Sequence, residues 1–210
     1  MSWFWLALPL AAAAQTLPAR GWRIAPEVIA ISPEGDPRRA LIDEAIEYWN
    51  DVFARIETPF RLGKAQHVTG AIADGYAAKL SDAVLNCGPQ PETPEEVRRW
   101  GARMIIATTE APIVSFAARL ADQRGSLIGL RSLHAAPMGM PNVARNVIAH
   151  EIGHVIGLGH NSDASKLMCG RPSDCRPDAF RSGERRFFPL TETELETLRR
   201  IYPKDWKPSD

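Results

Sequence analysis

The chain carries no net charge, its 25 Lys and Arg being balanced by 25 Asp and Glu. No global field therefore draws it to nucleic acid or to an anionic membrane, and neither is expected as a partner. Long apolar runs are missing after the first 14 residues, so no transmembrane span is expected in the rest of the chain. Cysteine is scarce, with three in 210 residues, and histidine nearly so, with five. Internal repeats are absent. What is present is 45% hydrophobic residues, ample for a core, in a length that favours one domain. The one basic stretch, Arg171, Arg176, Arg181, Arg185 and Arg186, is interrupted by Asp174, Asp178 and Glu184. It reads as a solvated loop rather than a site for an acidic ligand.

The start of the chain, Met1 to Leu10 followed by Ala11 to Ala14, is apolar but too short to span a bilayer comfortably. Ala12 and Ala14 fit the small-residue rule for cleavage before Gln15, although no Lys or Arg marks the segment's beginning. The expected organisation is a signal peptide over 1–14 and a single domain over 15–210, placed in a secreted, periplasmic or extracellular compartment. An apolar strand or an uncleaved anchor is the alternative.

Three of the five histidines fall in His150-Glu151-Ile152-Gly153-His154-Val155-Ile156-Gly157-Leu158-Gly159-His160, which fits HExxHxxGxxH. At this chain's own residue frequencies, a chance match somewhere in its length is on the order of one in 10^5. Residues four apart share a helix face, so His150 and His154 can offer two ring nitrogens to one metal at about 2.0–2.1 Å. Gly157 stands where the helix should stop, since glycine enters the left-handed conformation without a Cβ penalty, and the returning chain delivers His160. Three protein ligands leave a fourth position open, as at a catalytic zinc. Glu151, one residue round from His150, reads as a general base. Val147, Ile148, Ile152, Val155 and Ile156 supply a core-facing stripe, and Asn142 is the expected N-cap.

After these residues come Asn161-Ser162-Asp163 and Leu167-Met168-Cys169. Together they resemble the metzincin metallopeptidases, most of all the matrixins, in which a methionine turn floors the zinc. The resemblance implies that Met168 is such a floor and that the early helix around Ile42 to Trp49 and the late segment from Leu190 to Tyr202 belong to the same pattern. It further implies an α+β, zincin-type fold: a twisted mixed sheet, a zinc helix beneath it, and a C-terminal helix. One catalytic Zn2+ is expected, held by His150, His154 and His160. A second zinc is not, because the matrixin structural site needs further histidines and this region offers only His134. His67 and His134 read as surface or hydrogen-bonded residues; calcium stays open. No prodomain or accessory domain is expected. Where matrixins place a pocket wall, this chain has Cys169-Gly170-Arg171-Pro172, and Asn146 stands at the helix position that influences pocket depth.

Among the cysteines, Cys169 and Cys175 are the closest pair, leaving Cys87 outside, although three pairings are possible on paper. Cys87-Gly88-Pro89 is similar to the segment with which matrixin propeptides cap zinc, but it follows the first helix instead of preceding it. Elsewhere, Val28 to Ile31 and Met104 to Ala107 read as strands, and Asp36-Pro37 as the capped start of a helix with Leu41, Ile42, Ala45, Ile46, Trp49, Val52 and Phe53 inward. A second short strand is expected near Arg61, while Gly70 to Asn86 is ambiguous. Thr93-Pro94-Glu95-Glu96 predicts a capping box on a helix to about Trp100, and Thr191 to Glu194 another on a helix ended by Pro203. Ser126 to Ser132 has strand character, and matrixin order makes it the edge strand over the cleft, open to an extended peptide.

The reaction expected is hydrolysis of an internal bond of a protein or peptide by a monomeric enzyme. A zinc amidase acting on a cell-wall or other non-protein amide uses the same chemistry. A silent zinc-containing binding module is the third reading, against which Glu151 argues, because binding needs ligands and not a base.

Overall fold

The computed structural model describes residues 21–101, 103–121, 125–170, 175–176 and 184–209. The expected signal peptide with its cleavage point, and Arg171, Pro172, Asp174, Asp178 and Arg181 of the basic stretch, lie outside these residues.

Five strands form one sheet: β1 (Val28–Ser32), β2 (Ala65–Thr69), β3 (Met104–Thr108), β4 (Phe116–Arg119) and β5 (Ser126–Leu130), in the order β2-β1-β3-β5-β4. The first four in that order run parallel, and β4 is antiparallel to β5. Central strands β1, β3 and β5 are buried along their whole length, as sheets covered on both faces require. Alternate residues sort to the two faces. Val28, Ala30, Met104, Ile106, Ile128 and Leu130 meet α1 (Arg38–Arg55) and α4 (Pro141–Val155), while Ile29, Ile31, Ile105, Ala107 and Leu127 meet α2 (Asp74–Leu85) and α3 (Glu95–Arg98). A last helix, α5 (Glu192–Ile201), joins the first core through Leu198. The α+β architecture with a mixed sheet is therefore as expected.

Several elements differ from expectation. β5 lies inside the sheet, and the edge beside it is β4, which carries no strand pattern long enough to announce itself. Phe116 of β4 lies over Gly129 of β5, where a Cβ would stand 2.4 Å from its ring. The second strand starts at Ala65, four residues after Arg61, and the ambiguous stretch holds α2. At α3 no capping box forms: Pro94 itself takes the extended N-cap conformation, and the buried Thr93 hydroxyl has no hydrogen-bond partner among the described residues.

α1 begins as expected, with the Asp36 carboxylate accepting the Arg38 backbone N–H at 2.8 Å. The Arg38 guanidinium is buried and bonds Asp36, Glu110 and the carbonyls of Thr109 and Arg131, tying the helix start to the ends of β3 and β5. Trp49 of α1 donates to the Ala149 carbonyl of α4 at 2.9 Å, fixing the two helices against each other beneath the sheet.

Candidate metal centre

α4 places two of the three histidines, and its ending places the third. Gly157 has φ +111, its N–H bonds the His154 carbonyl, and the Leu158 N–H bonds the Gly153 carbonyl. These are the paired bonds of a Schellman ending, which reverses the chain within three residues of His154. The last carbonyls of the helix are taken by Trp22, onto Val155, and by the Tyr202 hydroxyl, onto Ile156. α5 braces the returning loop: Glu194 closes the predicted capping box with Thr191 and accepts from the Asn161 side chain at 2.6 Å.

The structure brings His150, His154 and His160 together, their Nε2 atoms 3.0–3.1 Å apart. His150 Nδ1 lies 2.8 Å from the Leu167 carbonyl and His154 Nδ1 2.9 Å from the Leu158 carbonyl. A carbonyl only accepts, so both Nδ1 atoms carry the proton and both Nε2 atoms present lone pairs. Facing lone pairs at that spacing repel one another, and a cation within about 2.0–2.1 Å of each nitrogen is the partner they fit. Burial, then the neighbouring positive charges, lowers the pKa of all three, that of His154 to about 4. The imidazoles are thus neutral at pH 7, as ligands must be. The triad fits one zinc ion.

Glu151 is buried beside the triad, and burial raises its carboxyl to about 8, opposed by the charge of Arg176. Met168 is fully buried, and a Cβ on Gly153 would stand 2.5 Å from its sulfur, so the turn lies directly under the helix between His150 and His154. The Asn161 N–H bonds the Met168 carbonyl, and Asn161 bridges Cys169, closing the loop that carries His160. Gly170 packs against the His160 ring so closely that no side chain fits. Cys169 and Cys175 are disulfide-bonded as predicted. Cys87 is exposed and follows α2, on the sheet face opposite α4.

Two other histidines are apart from this centre: His67 sits 3.0 Å from the Asp43 carboxylate and His134 is exposed. Asn142 is not the N-cap of α4. Pro141 takes the first helical position after Met140, and the buried Asn142 side chain instead donates to the Glu184 carbonyl and accepts from Arg145 and the Arg186 N–H. Asn146, wholly buried, donates to the Arg186 carbonyl and accepts from the Phe188 N–H. Its polarity thus serves to hold residues 184–188 along the helix.

The solvated-loop reading fails for Arg176. Its guanidinium is mostly buried, with Nη1 donating to the Leu167 carbonyl at 2.5 Å, the same oxygen that fixes His150. The signal was available in the sequence, since a bridge from Cys169 to Cys175 ties the next residue to the methionine turn. Arg185 fits a surface position, near Glu44 and Glu47.

A family model described as Met-zincin matches residues 136–170, the stretch from the loop before α4 to the end of the methionine turn. The site segment is metzincin-like. Among solved structures, the chain is similar to archaemetzincin from Methanopyrus kandleri, at 18% identity over 83% of this chain and 94% of that one, with a TM-score of 0.45. Comparison with curated proteins gives no match.

Proposed function

We propose that this chain is an exported zinc-dependent endopeptidase of matrixin-like character, with Glu151 as general base. The observation that carries the reading is the triad with both determinable tautomers turned inward, set in a segment that matches the Met-zincin family. His150, His154 and His160 hold the metal, which when bound supplies Lewis acidity that acidifies water and polarises a carbonyl. Glu151 accepts the proton of the attacking water and returns it to the leaving amine. Leu167 and Leu158, through their carbonyls, keep the imidazoles oriented. The β4 edge offers unpaired backbone groups along which a peptide substrate extends.

Export rests on the apolar start and its small residues before Gln15. Among the described residues no helix is long and apolar enough to cross a membrane. A peptide library incubated with the zinc-loaded protein tests the reading: internal cleavage supports it, cleavage of cell-wall amides alone favours the amidase, and turnover of neither leaves the binding module. Mature protein beginning at or near Gln15 supports export with cleavage, whereas retained Met1 in exported protein points to an anchor.

A further inference from the structure

The two carbonyls that orient the helix histidines are held in different ways. Leu158, which receives His154 Nδ1, belongs to the helix ending, where its own N–H is fixed on the Gly153 carbonyl. Among the described residues its carbonyl takes the His154 ring alone. Leu167, which receives His150 Nδ1 at 2.8 Å, lies in the irregular methionine turn, where no helix or sheet ladder sets the direction of the peptide plane. Its carbonyl takes a second donor, Arg176 Nη1 at 2.5 Å, so both lone pairs are used. The same nitrogen reaches the Cys169 carbonyl at 3.4 Å and therefore spans the turn on either side of Met168.

Arg176 is itself fixed from three directions. Its N–H bonds the Ala164 carbonyl at 2.7 Å, and the preceding Cys175 is bridged to Cys169. Its φ is +53, a left-handed conformation that a residue other than glycine keeps only when its surroundings impose it. The guanidinium is mostly buried, a cost that an arginine on the surface avoids.

We propose that Arg176 is a positioning residue of the metal centre: through the Leu167 carbonyl it holds the His150 imidazole in the orientation that zinc needs, and the Cys169–Cys175 bridge holds Arg176 in place. The inference rests on the zinc reading of the triad and is independent of which amide is cleaved. Partners that fix the ring of a metal-bound histidine are worth about 10- to 100-fold in metal affinity.

The test compares Arg176→Met, which keeps the length of the side chain without a donor, with Arg176→Lys, which keeps a cationic donor. Zinc affinity by chelator competition should fall about 10- to 100-fold in the Met variant and recover most of that loss in the Lys variant. Cobalt(II) in place of zinc reports the ligand arrangement, and its d–d absorption should change in Arg176→Met and return toward wild type in Arg176→Lys. In ring 15N spectra of the zinc-loaded protein, the His150 Nδ1–H signal should move in Arg176→Met while that of His154 stays. Replacing both Cys169 and Cys175 by serine should cost less in Arg176→Met than in wild type, because bridge and arginine act along one path. A Met variant that melts earlier yet keeps wild-type zinc affinity and cobalt spectrum shows a packing role and overturns the proposal. Equal losses in the Met and Lys variants overturn it too, since the donor then does not matter, and additive losses overturn the part given to the bridge. A wild-type chain that takes up neither metal overturns the zinc reading itself, and the proposal with it.

Discussion

Replacing Gly170 by alanine should weaken zinc binding at the metal centre while leaving the fold standing. An added Cβ would lie 2.3 Å from His160 Cγ, 2.6 Å from its Nδ1 and 2.7 Å from its Cβ. Carbon atoms settle about 3.5–4.0 Å apart, so the imidazole must retreat by about 1 Å or more. Zinc coordination tolerates about 0.2 Å, several times less than that displacement. The obstructed atoms are at the base of the side chain, so a rotation of the ring alone gives no relief. The backbone at Gly170 is equally committed, its N–H bonded to the Asn161 carbonyl and its neighbour Cys169 bridged to Cys175. The overpacking costs about 1–3 kcal/mol of stability. Zinc affinity falls by about 10- to 100-fold or more, the scale seen when support of a ligand is lost. Competition with a chromophoric chelator measures the affinity, and a thermal melt measures the fold. Gly63→Ala, where a Cβ meets nothing within 4 Å, is the control and should match wild type in both. If Gly170→Ala binds zinc as tightly as wild type, the packing assigned to His160 is wrong.

Glu151→Gln should retain zinc and lose about 10²–10⁴ in hydrolysis rate, since the amide keeps the shape but cannot accept a proton; His160→Ala should lose much of both, as metal analysis beside a peptide assay will show. Asn146→Leu should cost about 1–3 kcal/mol for each backbone group it strands at Arg186 and Phe188, read by denaturant unfolding. Asp36 links the acid limit of stability to α1. Burial pushes its carboxyl up, but hydrogen bonds from the Arg38 side chain and backbone, the Arg38 charge and the Thr108 hydroxyl outweigh it and hold the pKa below 3.8. That stability is fully present above pH 3.8 and is lost as pH falls through the lower folded value. Unfolding titrations should show the loss there for wild type, and a weaker acid dependence for Arg38→Ala.

The parts of the fold that announce themselves locally were legible. The zinc helix, its glycine ending, α1, α5 with its capping box, and strands β1 and β3 each carry a periodic pattern or a cap, and the short Cys169–Cys175 spacing led to the right pairing. β4 was not, because four residues, Phe116–Arg119, hold too little pattern, and without it β5 was assigned to the edge. α2 was obscured by Gly75 and by a buried face of only five residues, one of which is Ser81. At Thr93 the sequence fits a capping box, but Pro94 shifts the cap by one residue. Asn142 misled for a related reason, as a capping residue type drawn into holding residues 184–186. Arg176 shows the limit most clearly: charge spacing suggested solvent, whereas a covalent bridge one residue away placed it at the metal centre.

The most direct test of the central claim is zinc dependence measured on one preparation of mature protein. Metal analysis should find about one zinc per chain, chelation should abolish peptide hydrolysis, and a single equivalent of zinc should restore it. Protein that carries no zinc when prepared in its presence, or hydrolysis that persists after the metal has been removed, would contradict the account.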